Sequence, residues 1–100
     1  MLAYLKRQKW IWLDRIALRK HIRKCNKYNN ELKLILGAGH TEYEGWIATD
    51  YPVFDIFKSW QWWFLIGRVK INNLLIEHVL EHFTEKQVSD FFKLAKRHLK

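Results

Sequence analysis

The chain has 100 residues, room for one domain, with 49% hydrophobic and 16% aromatic residues, a composition that supplies a core and excludes a disordered chain. Its formal net charge is +8, and all of that excess lies in residues 1–30, where nine Lys/Arg face Asp14 alone, while residues 31–100 balance nine cations with nine acids. Cys25 is the single cysteine, which excludes an intrachain disulfide framework and points to a reducing, cytoplasmic setting. The apolar runs Trp10–Leu13 and Trp62–Ile66 fall far short of the ~20 residues of a membrane span. Lys6, Arg7 and Lys9 interrupt the core of any signal peptide.

Residues 2 to about 25 read as a basic helix free of Gly and Pro, followed by a linker of Asn26, Tyr28, Asn29 and Asn30. Three roles are open for it: a cap on the domain with solvated charges, a helix lying on an anionic membrane surface through Trp10 and Trp12, or a contact for phosphate backbones. The nucleic-acid signal is the weakest of the three. Residues 1–30 thus form a basic segment, and residues 31–100 the domain proper.

Lys33–Leu36 reads as a strand, apolar after Lys33 and therefore central and covered on both faces. Gly37-Ala38-Gly39 follows, then a loop to Gly45, a second strand Trp46–Thr49, and Asp50-Tyr51-Pro52. Strand, glycine turn, strand and acid form the grammar of a nucleotide-type site at the carboxyl edge of a parallel sheet. The competing reading is a plain tight turn. Glu42 stands where a third glycine would fall in G-x-G-x-x-G, and the segment to Trp46 is too short for a full helical crossover.

Val53–Phe57 reads as a brief third strand carrying Asp55, and Lys58–Ile66 as a short helix ended by Gly67. Trp62 and Trp63 have the composition to stack on a base, but aromatics at helical spacing more often form core, and core is the expectation here. Ile71–Ile76 reads as the fourth strand. Thr84, with Gln87 three residues on, opens the last helix as a capping box, and Val88, Phe91, Phe92, Ala95 and Leu99 form its expected buried stripe.

Glu77-His78-Val79-Leu80-Glu81-His82 contains H-x-x-E-H, a zinc-peptidase spacing. It follows an apolar strand instead of lying inside a long helix, and a third ligand is missing, so no metal is expected.

ILGAGHTEYEGWIATD followed by IEHVLEHFTEKQVSDFFKLAKRHLK resembles the class I S-adenosylmethionine-dependent methyltransferases, over residues 33–100. The likeness is to a subgroup with a shortened first crossover. It implies an α/β fold, a partial Rossmann-like parallel sheet preceded by the basic helix, and transfer of a methyl group to an unidentified acceptor. It further implies that Gly37, Ala38, Gly39, Asp50 and Tyr51 hold S-adenosylmethionine, with Asp50 on the ribose. Glu77 and His78 would line the reacting end, either of them a candidate general base.

The resemblance departs from the family at two points. The acid expected before the first glycine is replaced by Ile35-Leu36, and only four strands of a usual seven are present. The chain is accordingly expected to be the N-terminal half of a longer domain or a shortened, inactive one. Residues 71–76 would then form an uncovered edge open to self-association. The alternative from another class is a non-catalytic module that binds an anionic surface through the first helix.

Overall fold

The structure is a computed structural model and describes residues 2–29 and 31–100. Three α-helices and three parallel strands follow one another as α1 (Leu2–Asn29), β1 (Lys33–Leu36), β2 (Ile47–Ala48), α2 (Ser59–Leu65), β3 (Asn73–Ile76) and α3 (Glu85–His98). A 3-10 turn at Leu80–His82 links β3 to α3. The sheet order is β2-β1-β3, with Leu34 opposite Ile47 and Leu74, and Ile35 opposite Ala48 and Leu75. β1 is central, as its unbroken apolar run requires, and Leu34, Ile35 and Leu36 are all fully buried.

Strand alternation sorts the sheet. Leu34, Leu36 and Ile47 join the main core, and Leu74 and Ile76 pack against it. The hub of that core is Trp62 of α2, whose ring lies 5.0 Å from Phe54, 6.1 Å from Phe91 and 5.4 Å from His98. Its indole N–H donates to the Ile56 carbonyl at 2.9 Å, so this deeply buried donor is satisfied.

Several sequence expectations need correction. The first helix runs on through Asn26 and Tyr28 to residue 29, with Ile22 in the core and Cys25 packed against it; Asn30 lies outside the described residues. Val53–Phe57 is no strand. Arg15 takes the Val53 and Pro52 carbonyls at 2.9 and 3.1 Å, and Gln61 takes the Asp55 amide at 2.7 Å, so side chains occupy groups a ladder would need. The buried stripe of α3 is Phe91, Ala95 and His98, while Phe92 is 51% exposed and Leu99 lies past the helix end. The capping box of Thr84 and Gln87 is present as expected.

α1 lies against the domain through Ile22, Leu18 and two arginines. Arg23 donates to the Leu65 carbonyl at 2.8 Å, neutralising the carbonyl end of α2. Arg15 is buried, and burial lowers its pKa while nearby Asp55 pulls it back up.

After α3, the His98 carbonyl accepts the Ile71 amide at 2.7 Å and Lys100 donates to the Ile71 carbonyl at 2.9 Å. The residues following α3 are thereby clasped to the approach of β3. The outer edge of β3 has no strand partner among the described residues.

Candidate functional site

β1 feeds β2 on one side of itself, and β2 in turn feeds β3 on the other side. That reversal makes a switch point between β1 and β3, and ligands of parallel sheets bind outside the strand ends at such points. Gly37 leaves β1 there and Glu77 leaves β3, joined by the Glu77 amide donating to the Leu36 carbonyl at 3.1 Å.

The loop after β1 contains turns but no helix, as its length dictates. The Ala38 amide donates to the Thr49 carbonyl at 2.9 Å, and Thr49 returns both its amide (2.9 Å) and its hydroxyl (2.7 Å) to the Ile35 carbonyl. Gly37 has φ +65°, and a Cβ there would overlap the Val79 Cγ2 methyl and crowd the Glu77 carbonyl. The close neighbour that calls for glycine at 37 is therefore the protein's own chain. Gly39, at φ +58°, faces open space.

Asp50 lies just beyond β2. One carboxylate oxygen accepts the Gly39 amide at 3.0 Å and the other accepts the Tyr51 amide at 2.9 Å. The sequence placed glycine bend and carboxylate side by side, and the structure brings them together. An ionised carboxylate has about four lone-pair sites, so two acceptor directions remain on Asp50, which is exposed.

A cavity of about 230 Å³ opens beside this pair, lined by Gly37, Asp50, Tyr51, Phe54, Asp55, Ile56, Phe57, Val79 and Phe83. Phe57 and Phe83 meet edge to face at 4.5 Å along it. Its character is a mainly apolar slot whose lining includes Asp50 and Asp55. The size falls below the ~300 Å³ lower range of small-molecule sites, so it suits one portion of a ligand such as a nucleoside. Larger apolar and polar grooves, of about 560 and 470 Å³, lie elsewhere, against α3 and beside β2, away from the glycine bend.

Gly37, Asp50 and Tyr51 line the cavity; Ala38 is buried beneath the bend, and Gly39 meets it through Asp50. Glu77 and His78 are not among its lining residues. The Glu77 carboxylate accepts the Thr41 hydroxyl at 2.7 Å, tying the loop after β1 to the end of β3. His78 has φ +48° and an imidazole 85% exposed, 3.8 Å from Glu81. Among the described residues no cluster of His, Cys, Asp and Glu could hold a metal, and His78 and His82 both reach towards Glu81 from the solvent side.

Sequence reasoning missed the aromatic walls Phe57 and Phe83 and the anchor Thr41. Phe57 and Phe83 each lie just outside a helix, where an apolar residue has no periodic partner to mark it. No protein-family model, curated protein or solved structure matches the chain.

Proposed function

We propose that this chain is a methyltransferase-type, partly formed Rossmann-like domain that binds S-adenosylmethionine by its nucleoside portion. One observation carries the reading: the Asp50 carboxylate closes the Gly37–Gly39 bend at the sheet's switch point, beside an apolar slot. The donor set suits a nucleoside. Phe54, Ile56, Phe57, Val79 and Phe83 offer apolar walls to a flat base, and the unused lone pairs of Asp50 can accept ribose hydroxyl protons.

Bound S-adenosylmethionine supplies an electrophilic methyl group on a sulfonium. The chain's part is to hold and orient. Asp50 fixes the sugar, and Phe57 with Phe83 excludes water from the base. Thr41 and Glu77 brace the loop that carries Gly39. The Glu77 carboxylate acts here as the anchor of Thr41, and neither it nor His78 lines the slot. Orientation and proximity provide most of the rate advantage in a displacement of this kind. The acceptor is not identified.

Thermal unfolding with S-adenosylmethionine at a hundredfold excess over its Kd tests the reading. Linkage at that excess contributes about 2.7 kcal/mol, a rise of roughly 10–20 °C in Tm for a domain of this size. Asp50→Ala should remove the shift. No shift with either S-adenosylmethionine or its demethylated product would overturn the proposal.

A further inference from the structure

α1 carries a run of exposed apolar residues along a side that borders α2, where Trp12 meets Trp60 and Phe64. At 3.6 residues per turn Leu2, Leu5, Trp12, Leu13 and Ile16 fall within about a third of the helix circumference. All five are between 40% and 69% exposed. The inner side of the same helix is already occupied, with Ile22 and Arg15 buried and Leu18 packed on the core. An outward apolar stripe of this kind lies beyond what the domain itself can bury.

Lysines lie along that side as well, while Arg23 of the same arc is engaged with the Leu65 carbonyl. Lys9 and Lys20 share the arc of the stripe, and Lys6 and Lys24 border it; none of them forms an ion pair among the described residues. The stripe continues onto α2, where Trp60 stacks on Trp12 at 5.8 Å. The Arg15 guanidinium lies over both rings, at 4.8 and 5.1 Å, and holds them in place.

We infer that this outer face of α1 is a docking surface for an anionic lipid bilayer, on which the helix lies flat. Aliphatic side chains enter the interface while lysines on the same face reach the headgroups with their stems along the apolar surface. Charge complementarity supports this occupant, since residues 1–30 hold the chain's entire positive excess. Leu2, Leu5, Leu13 and Ile16 decide between lipid and nucleic acid, because aliphatic chains offer a nucleic acid neither a stacking plane nor a hydrogen bond. The helix lies on the surface and does not cross it: no described helix is long and apolar enough to span a membrane. Its packing on the domain means that docking pays no cost of helix formation.

The test is co-sedimentation of the full chain with vesicles of phosphatidylcholine, alone or with about one third phosphatidylserine. Binding is expected to the mixed vesicles and to weaken with salt. Leu5→Ser with Leu13→Ser should lower it at least tenfold without altering the helical circular dichroism, since both side chains are exposed. Lys9→Glu with Lys20→Glu should lower it more than tenfold, at roughly fivefold for each unit of charge. Lys86→Glu with Lys93→Glu makes the same change in net charge on α3 and should leave binding within about threefold. Equal binding to both vesicle types, no binding to either, or retention by the leucine variant overturns the inference. So does tighter, leucine-independent binding to DNA or RNA, or a soluble dimer that uses the same leucines without lipid. The readout needs no methyl donor, so it stands or falls apart from the proposed activity.

Discussion

The side chain of Asp50 and the backbone amide of Gly39 lie eleven residues apart in sequence and meet at 3.0 Å across the carboxyl edge of the sheet. The same carboxylate takes the Tyr51 amide, so one exposed side chain holds two strand-end loops. Asp50→Ala should destabilise the fold by about 1 kcal/mol, less than is usual for a charged acceptor because solvent can replace it. Asp50→Asn, which keeps one acceptor oxygen, should lose about half as much. Urea unfolding at neutral pH measures both, and a variant as stable as the parent would show that the bend does not depend on this residue.

The two glycines of the bend should respond unequally. Gly37→Ala meets both a left-handed backbone and the Val79 methyl, and is expected to cost about 2–4 kcal/mol. Gly39→Ala meets open space and carries only the backbone penalty, about 1 kcal/mol. Equal losses in denaturant midpoint would contradict the packing of Gly37 against Val79.

Tryptophans separate in the same manner. Trp62→Phe leaves the Ile56 carbonyl without its donor and opens space in the core, an expected loss of about 2–4 kcal/mol. Trp10, 65% exposed, should be replaceable by Ala within about 0.5 kcal/mol. Thermal unfolding of the two variants side by side is the check.

His98 gives the fold a pH dependence. It is fully buried beside Trp62, its Nδ1 lies 3.1 Å from the Gly67 carbonyl, and its Nε2 has no hydrogen-bond partner among the described residues. Burial lowers its pKa below 6.5; the bond to Gly67 opposes this, and Lys70 and Arg97 add to it. The unfolded chain therefore binds a proton more readily than the folded one as pH drops below about 6.5. Stability should be level above that pH and decline beneath it until the folded-state histidine also titrates. His98→Phe should flatten the decline between about pH 7 and pH 5 in Tm measurements. An unchanged slope would place the titrating group elsewhere.

Much of this arrangement can be read from residue order. Leu34-Ile35-Leu36 announces a central strand, Thr84 and Gln87 announce a helix start, and the glycine bend and Asp50 can be placed on neighbouring strand ends, though the bond between Asp50 and the Gly39 amide cannot. What hid from the sequence was polar residues doing the work of apolar ones. Arg15 shares a helical face with Leu18 and Ile22, and His98 one with Phe91 and Ala95, but a search for apolar periodicity passes over both. The stripe on α3 was consequently read one position wide of its true line, through Phe92 and Leu99. Val53–Phe57 has the composition of a strand, and only the distant side chains of Arg15 and Gln61 show why it bends instead. The roles expected of Glu77 and His78 came from resemblance to a family motif; in the structure His78 has a positive φ and an exposed imidazole, and the Glu77 carboxylate holds Thr41.

The pairing of Ile71 with the residues after α3 bears on motion as well as on architecture. Segments just outside a helix are ordinarily among the first to open locally. Here the Ile71 amide is shielded by the His98 carbonyl, and the Lys100 amide is held by Ile71 in return. Protons on those two nitrogens should exchange with solvent at rates closer to those of the strand β3 than to those of a loose tail. Loosening residues 98–100 would then unlatch the approach to β3, and with it the Glu77 carboxylate that holds Thr41.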